Sequence, residues 1–103
     1  MKTFATIYII LWFTTSTFGQ TSYFVSNNGK DNNSGTSVDS PWKTIKKVNS
    51  SKFSPGDKIL FKSGHAFKDA LTITSSGTPG NHIIFGKYGG ETLPIIGSVS
   101  LKN

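Results

Sequence analysis

The sequence predicts a mainly β chain in which short strands stack as a solenoid, with one short α-helix near its start. Three observations predict it. From residue 58 onward, five segments rich in β-branched and aromatic residues (58–62, 70–74, 82–88, 93–97 and 98–102) are separated by turn compositions such as "SSGTPGN" and "GGET". Ile59 and Phe61 recur 24 residues later as Ile83 and Phe85. A repeat of that length fits a solenoid, in which each coil buries its apolar side against the next. Finally, Trp42, Ile45 and Val48 recur every third residue while Lys43, Lys46 and Lys47 point away, which predicts an amphipathic helix over 41–49.

The elements follow in chain order. Lys2, the apolar run Phe4–Phe13 and a small-residue exit at Thr17 and Gly19 predict a signal peptide over residues 1–19. The run falls short of the roughly 20 apolar residues a membrane span needs, and no Cys follows it to carry a lipid. The expected location is therefore secreted, either extracellular or periplasmic. "SYFVS", Ser22–Ser26, reads as a first strand, and a run of Asn, Asp, Gly and Ser ends it. Ser40 and Pro41 read as the helix start, with a hydroxyl to cap free N–H groups and a proline that loses no bond at the first position. "SPGD", Ser54–Asp57, is a tight turn into the next strand.

Removal of residues 1–19 leaves ten Lys against five acidic residues and no Arg, a charge of +5. A basic exported chain is suited to an acidic polymer such as a uronate polysaccharide, or simply carries a solvated Lys surface. Nucleic acid is a poor match, because the Lys residues are scattered and Arg is absent. With no Cys there is no disulfide framework, and a chain this short supports at most one domain.

The motifs "YFVSNNGKDNNSGTSVDSPWKTIKKV", "PGDKILFK", "LTITSSGTPGNHIIFGKYG" and "LPIIG", in that order, resemble the N-terminal opening of secreted right-handed parallel β-helix proteins of the pectate-lyase-like superfamily. The matching positions are Gly29, Asp31, Gly35 and Thr36 in the loop, and Pro41, Trp42, Thr44 and Ile45 in the cap. Pro55, Gly56 and Asp57 match at the first turn, and Gly77, Thr78, Gly80, Asn81 and Ile83 at the second. The resemblance implies a right-handed parallel β-helix with an N-terminal capping helix, and an incomplete domain, since a solenoid needs at least three repeats and both caps. Residues 20–57 would be the strand, loop and cap helix, and 58–103 the first coils. In the structural cap formed by Ser40, Pro41, Trp42, Ile45 and Val48, the apolar stripe would cover the open end of the helix.

Candidate sites are sparse. Asp31 and Asn33 offer the hard oxygens that Ca²⁺ takes, but Thr36 and Trp42 stand where an EF-hand needs Gly and Glu, and turn formation accounts for the same residues. His65 and His82 have no partners at metal-ligand spacing. Asp57 and Asp69 stand alone, whereas glycoside hydrolysis uses paired carboxylates. Among the aromatics, Trp42, Phe61 and Phe85 fit core roles, which leaves Tyr88 as the freest for stacking on a sugar. No catalytic residue is assigned. The resemblance implies a parent that degrades polysaccharide, by lyase or hydrolase chemistry on acidic glycans, with Ca²⁺ as the cofactor a lyase would use. The alternatives are a non-catalytic β-helix surface or glycan-binding protein, or an inactive truncated product.

Overall fold

Alternation of apolar and polar residues along each strand sets two facing sheets in this computed structural model, which describes residues 20–101. The expected leader lies outside them. The elements are β1 (Ser22–Val25), α1 (Ile45–Asn49), β2 (Lys58–Lys62), β3 (Ala66–Ile73), β4 (Ile84–Tyr88) and β5 (Ile95–Leu101). The described residues are thus mainly β with one short helix. One sheet has the order β1-β2-β4 and the other β3-β5, and every strand pair is parallel. From β2 the chain crosses to β3, returns to β4 beside β2, and crosses again to β5 beside β3. The second circuit therefore lays its two strands, β4 and β5, on the edges left by β2 and β3.

The core lies between the sheets. Val25, Ile59 and Phe61 project from one side and Phe67 and Leu71 from the other, all almost fully buried. Phe61 meets Phe67 edge-on at 5.4 Å between ring centres. Trp42, Ile45 and Val48 complete this core, and α1 packs on β3. The predicted apolar stripe is therefore buried as expected. Among the described residues, no helix is long and apolar enough to cross a membrane.

Three expectations are corrected by the backbone. The helix starts at Ile45 with Thr44 as its N-cap, so Ser40 and Pro41 lie ahead of it and do not cap it. Trp42 is instead drawn out in a parallel bridge with Val25, donating its N–H to Phe24 and accepting from Ser26 at 2.8 Å each. Those bonds need extended backbone, so the helix cannot begin until they are made. Second, the register puts Ile59 opposite Phe85 and Phe61 opposite Lys87, two residues beyond the 24-residue repeat. A slip of two keeps every side chain on its own face, so alternation alone does not separate the two registers. Ile83 becomes the residue that enters β4, still packed on the core.

Third, the two final segments expected at 93–97 and 98–102 are one strand, β5, which runs through Gly97. Opposite Gly97 the β3 register shifts between Phe67 and Ala70, an irregularity of the β-bulge kind. A Cβ on Gly97 would collide with the Lys68 carbonyl, so the glycine admits the bulged backbone rather than ending the strand. By the same bulge, β3 starts at Ala66, four residues before the expected Ala70, because Lys68 and Asp69 interrupt its apolar pattern without breaking it.

Candidate functional site

The loop between β1 and α1 is a set of hydrogen bonds that fastens the start of the chain. Asp31 reaches across it to the helix entrance. Its Oδ1 accepts from the backbone N–H groups of Lys43 and Thr44, both at 2.9 Å, and its Oδ2 accepts from the Thr44 hydroxyl at 2.6 Å. The Thr44 Oγ1 in turn accepts from the Lys47 N–H at 3.1 Å and caps the helix. Burial alone would raise the Asp31 pKa. The Thr44 hydroxyl, the two N–H donors and the nearby Lys47 outweigh it and hold the carboxyl below its ordinary value.

Asn33 works on the same loop. Its carbonyl accepts from the Trp42 indole N–H at 2.9 Å and its side-chain amide donates to Pro41 at 2.9 Å. Both Ca²⁺ candidates are thus engaged in seating Trp42 and the helix. Among the described residues no three His, Cys, Asp or Glu side chains gather as a metal site. Gly35 sits against the same indole: its φ is +76° and a Cβ would stand 2.5 Å from the Trp42 ring. The other side of the Trp42 environment is aromatic and cationic, with Tyr23 stacked at 5.1 Å and the Lys47 ammonium 5.4 Å from the ring centre.

These bonds cover the outer edges of both sheets. The edge of β1 is taken by Trp42 and by Gly35, whose carbonyl accepts from the Phe24 N–H at 2.7 Å. The β3 backbone is met by two asparagine side chains, and Asn27 donates through Nδ2 to the Ala66 carbonyl at 3.3 Å. Asn49 donates through Nδ2 to the Ala70 carbonyl at 2.9 Å and accepts through Oδ1 from the Thr72 N–H at 2.8 Å. An amide side chain carries the same donor and acceptor as a peptide unit, so Asn49 does here what a neighbouring strand would do.

The remaining singled-out residues are held apart. Asp57 is buried and clamps its turn, accepting from Ser54 N–H at 2.8 Å and from Thr21 N–H at 3.0 Å. It lies beside a cleft of about 510 Å³ lined by Tyr23, Ser54, Thr78 and Asn81. Burial, then the Asp57 charge, raises the Tyr23 pKa. His65 accepts the Asn27 N–H on Nδ1 at 3.1 Å, a link between loops, while His82 is exposed at the entry to β4. Asp69 lies exposed on β3. Tyr88 lies on the outer face, edge-on to Phe24 at 5.1 Å, with the Lys62 ammonium 5.3 Å from its ring centre. It borders a second cleft, of about 340 Å³, with Ser26, Asn28, Asp39 and Lys62. Each cleft has one carboxylate among its lining residues, whereas acid and base or nucleophile chemistry on a glycosidic bond uses two.

What this arrangement can do is close one end of a stack of parallel strands. Sequence reasoning expected Trp42, Ile45 and Val48 to share one helical face, and the structure buries all three with Trp42 outside the helix; it named Thr44 among the cap positions without its capping role and did not single out Asn49. A Thr three residues before Lys47 carried a capping signal for the first. No local signal marks Asn49, because its partners are 21 and 23 residues away.

The known proteins that this chain resembles are lacto-N-biosidases. No family model matches the chain. It is 38% identical over 96 residues to a lacto-N-biosidase of Bifidobacterium longum subsp. longum, covering 86% of this chain and 6% of that protein. Two crystal structures of the GH136 lacto-N-biosidase from Eubacterium ramulus match at 35% identity. The selenomethionine derivative has a TM-score of 0.65 over 68% of this chain and 12% of its own, and the native protein 0.64 over 67% and 11%. The chain therefore spans only a small part of the proteins it resembles. These relatives are glycoside hydrolases, and they give no support to a pectate-lyase-like activity or to an acidic substrate.

Proposed function

We propose that this chain is the capped opening segment of an exported glycoside hydrolase of the lacto-N-biosidase kind, built as a right-handed parallel β-helix. The segment's own task is to start and close that helix. The observation that carries the reading is the difference between its two ends. Trp42, Gly35 and Asn49 occupy the outer edges of β1 and β3, while β4 and β5 each pair on one side only. Residues 1–19 are its leader, 20–57 its cap and 58–103 its first coils. The likeness to lacto-N-biosidases supports a glycan substrate and hydrolysis over β-elimination, and the catalytic carboxylates belong to other coils.

A segment exchange tests this. The matching part of the Eubacterium ramulus enzyme is replaced by residues 20–101 of this chain, and hydrolysis of a chromogenic lacto-N-bioside is followed. A folded chimera that keeps the activity is expected, together with no product release by the 103-residue chain alone. A chimera that cannot fold, or product release by the chain alone, would sink the reading.

A further inference from the structure

We infer that the outward face of the β1-β2-β4 sheet holds a glycan, and that Tyr88 with Asn28, Asp39 and Lys62 forms a binding site for neutral sugar. Alternation along the strands puts Val25, Ile59 and Phe61 into the core, so Phe24, Leu60 and Gly86, which stand opposite one another, point outward. Ser26 follows Val25 on the same outward side, and Lys62 pairs with Tyr88. Gly86 carries no side chain, which leaves the Tyr88 ring room to lean across the sheet to Phe24, with its hydroxyl at the Ser26 side chain. The result is a half-buried aromatic plate beside a cleft of about 340 Å³. That volume falls within the range of small-molecule pockets, about 300 to 1,000 Å³. Coils that follow would stack beside β4 and β5, whereas this face looks sideways from the stack.

The lining decides the ligand. A pyranose offers an apolar face of C–H groups, which packs on an aromatic ring, and a rim of hydroxyls that both donate and accept. Asn28 supplies a donor and an acceptor, the Asp39 carboxylate accepts and the Lys62 ammonium donates. Asn28 and Asp39 are exposed, so both can turn to a ligand. One carboxylate and one ammonium balance each other, so the cleft selects neither an anion nor a cation. With one carboxylate it can hold a glycan but cannot cleave it by the paired chemistry of hydrolysis. The kind of ligand rests on the glycan-hydrolase reading, and the place of the site rests on the cleft. Its task is to anchor substrate at a distance from the catalytic carboxylates.

Titration of the 103-residue chain with lacto-N-biose, followed by amide NMR, tests this. The expected result is saturable shifts of the amides at 26–28, 62 and 88, with a dissociation constant of about 1 mM, the weak range suited to an open cleft. Tyr88→Ala should weaken binding about tenfold, while Tyr88→Phe keeps most of it, because the ring and not the hydroxyl stacks on the sugar. Asp39→Ala, in an exposed loop, should weaken it about threefold, and it replaces Tyr88→Ala if that variant does not fold. His82→Ala should change nothing, since His82 is exposed just before β4, at the end away from Tyr88. An absence of shifts at about 20 mM sugar, far above that constant, overturns the proposal. So do equal weakening by the Tyr88 and His82 variants, and tighter binding of trigalacturonate, which would make the cleft an anion site. Tyr88 shielded from nitration in the folded chimera but not in the chain would assign the face to another segment, and overturns it too. Failure here leaves the hydrolase reading standing, because the chimera's activity tests that reading, and an inactive chimera would not remove the NMR shifts.

Discussion

Asp31 spends its carboxylate on the backbone and hydroxyl of a helix entrance 12 and 13 residues away. Losing a cap of this type costs about 1 kcal/mol, up to about 2 in tight sites. Asp31→Ala should therefore lower the unfolding free energy read from urea titration by that amount, and Asp31→Asn by less, since one oxygen remains as acceptor. The pH dependence has a definite sign. The folded carboxyl titrates below its unfolded value, so its contribution is complete above about pH 4, the ordinary carboxylate range, and is lost as pH falls through the lower folded value. As pH falls below the ordinary carboxylate range, the native chain should lose stability faster than Asp31→Asn does. Parallel acid profiles would show that Asp31 is not clamped. The residue was legible as a turn former, yet its real partners were not, because a loop's closure is written in contacts that no local window contains.

At the level of elements, the strands were legible and their ends were not. β2 matches its apolar pattern residue for residue, because Ile59 and Phe61 are buried between Lys58 and Lys62. The helix came out four residues shorter at its start. Its stripe signalled one face, while Trp42 answered to the edge of β1. Asn49, the last residue of α1, shows how an element ends by serving another. Asn49→Ala removes both bonds to β3 and should cost about 1 kcal/mol, with the Thr72 amide losing its protection from hydrogen exchange. Asn49→Asp should be no better at neutral pH. It keeps an acceptor for Thr72 but sets a second oxygen against the Ala70 carbonyl. An unchanged Thr72 amide in both variants would remove Asn49 from its role as a substitute strand.

For the molecule as a whole, stability should fall from the covered end to the bare one. β2 is the middle strand of its sheet, flanked by β1 and β4, and its Ile59 is fully buried. β5 has one neighbour, and Ile95, Val99 and Leu101 along it stay mostly in contact with water. In a stack of circuits each strand gains stability chiefly from its nearest neighbours, so the last circuit opens without requiring the first to unfold. Hydrogen exchange should then give a ranking: β2 amides slowest, β4 and the paired side of β3 intermediate, β5 fastest. Thermal unfolding should be broad, with the tryptophan fluorescence of a Trp12→Phe variant, which reports Trp42 at the covered end, persisting above the temperature at which β5 has opened. Equal protection in all strands with one sharp transition by every probe would mean that the circuits fold as a single unit. In that case the cap would stabilise all circuits alike, and the bare end would be as firm as the rest.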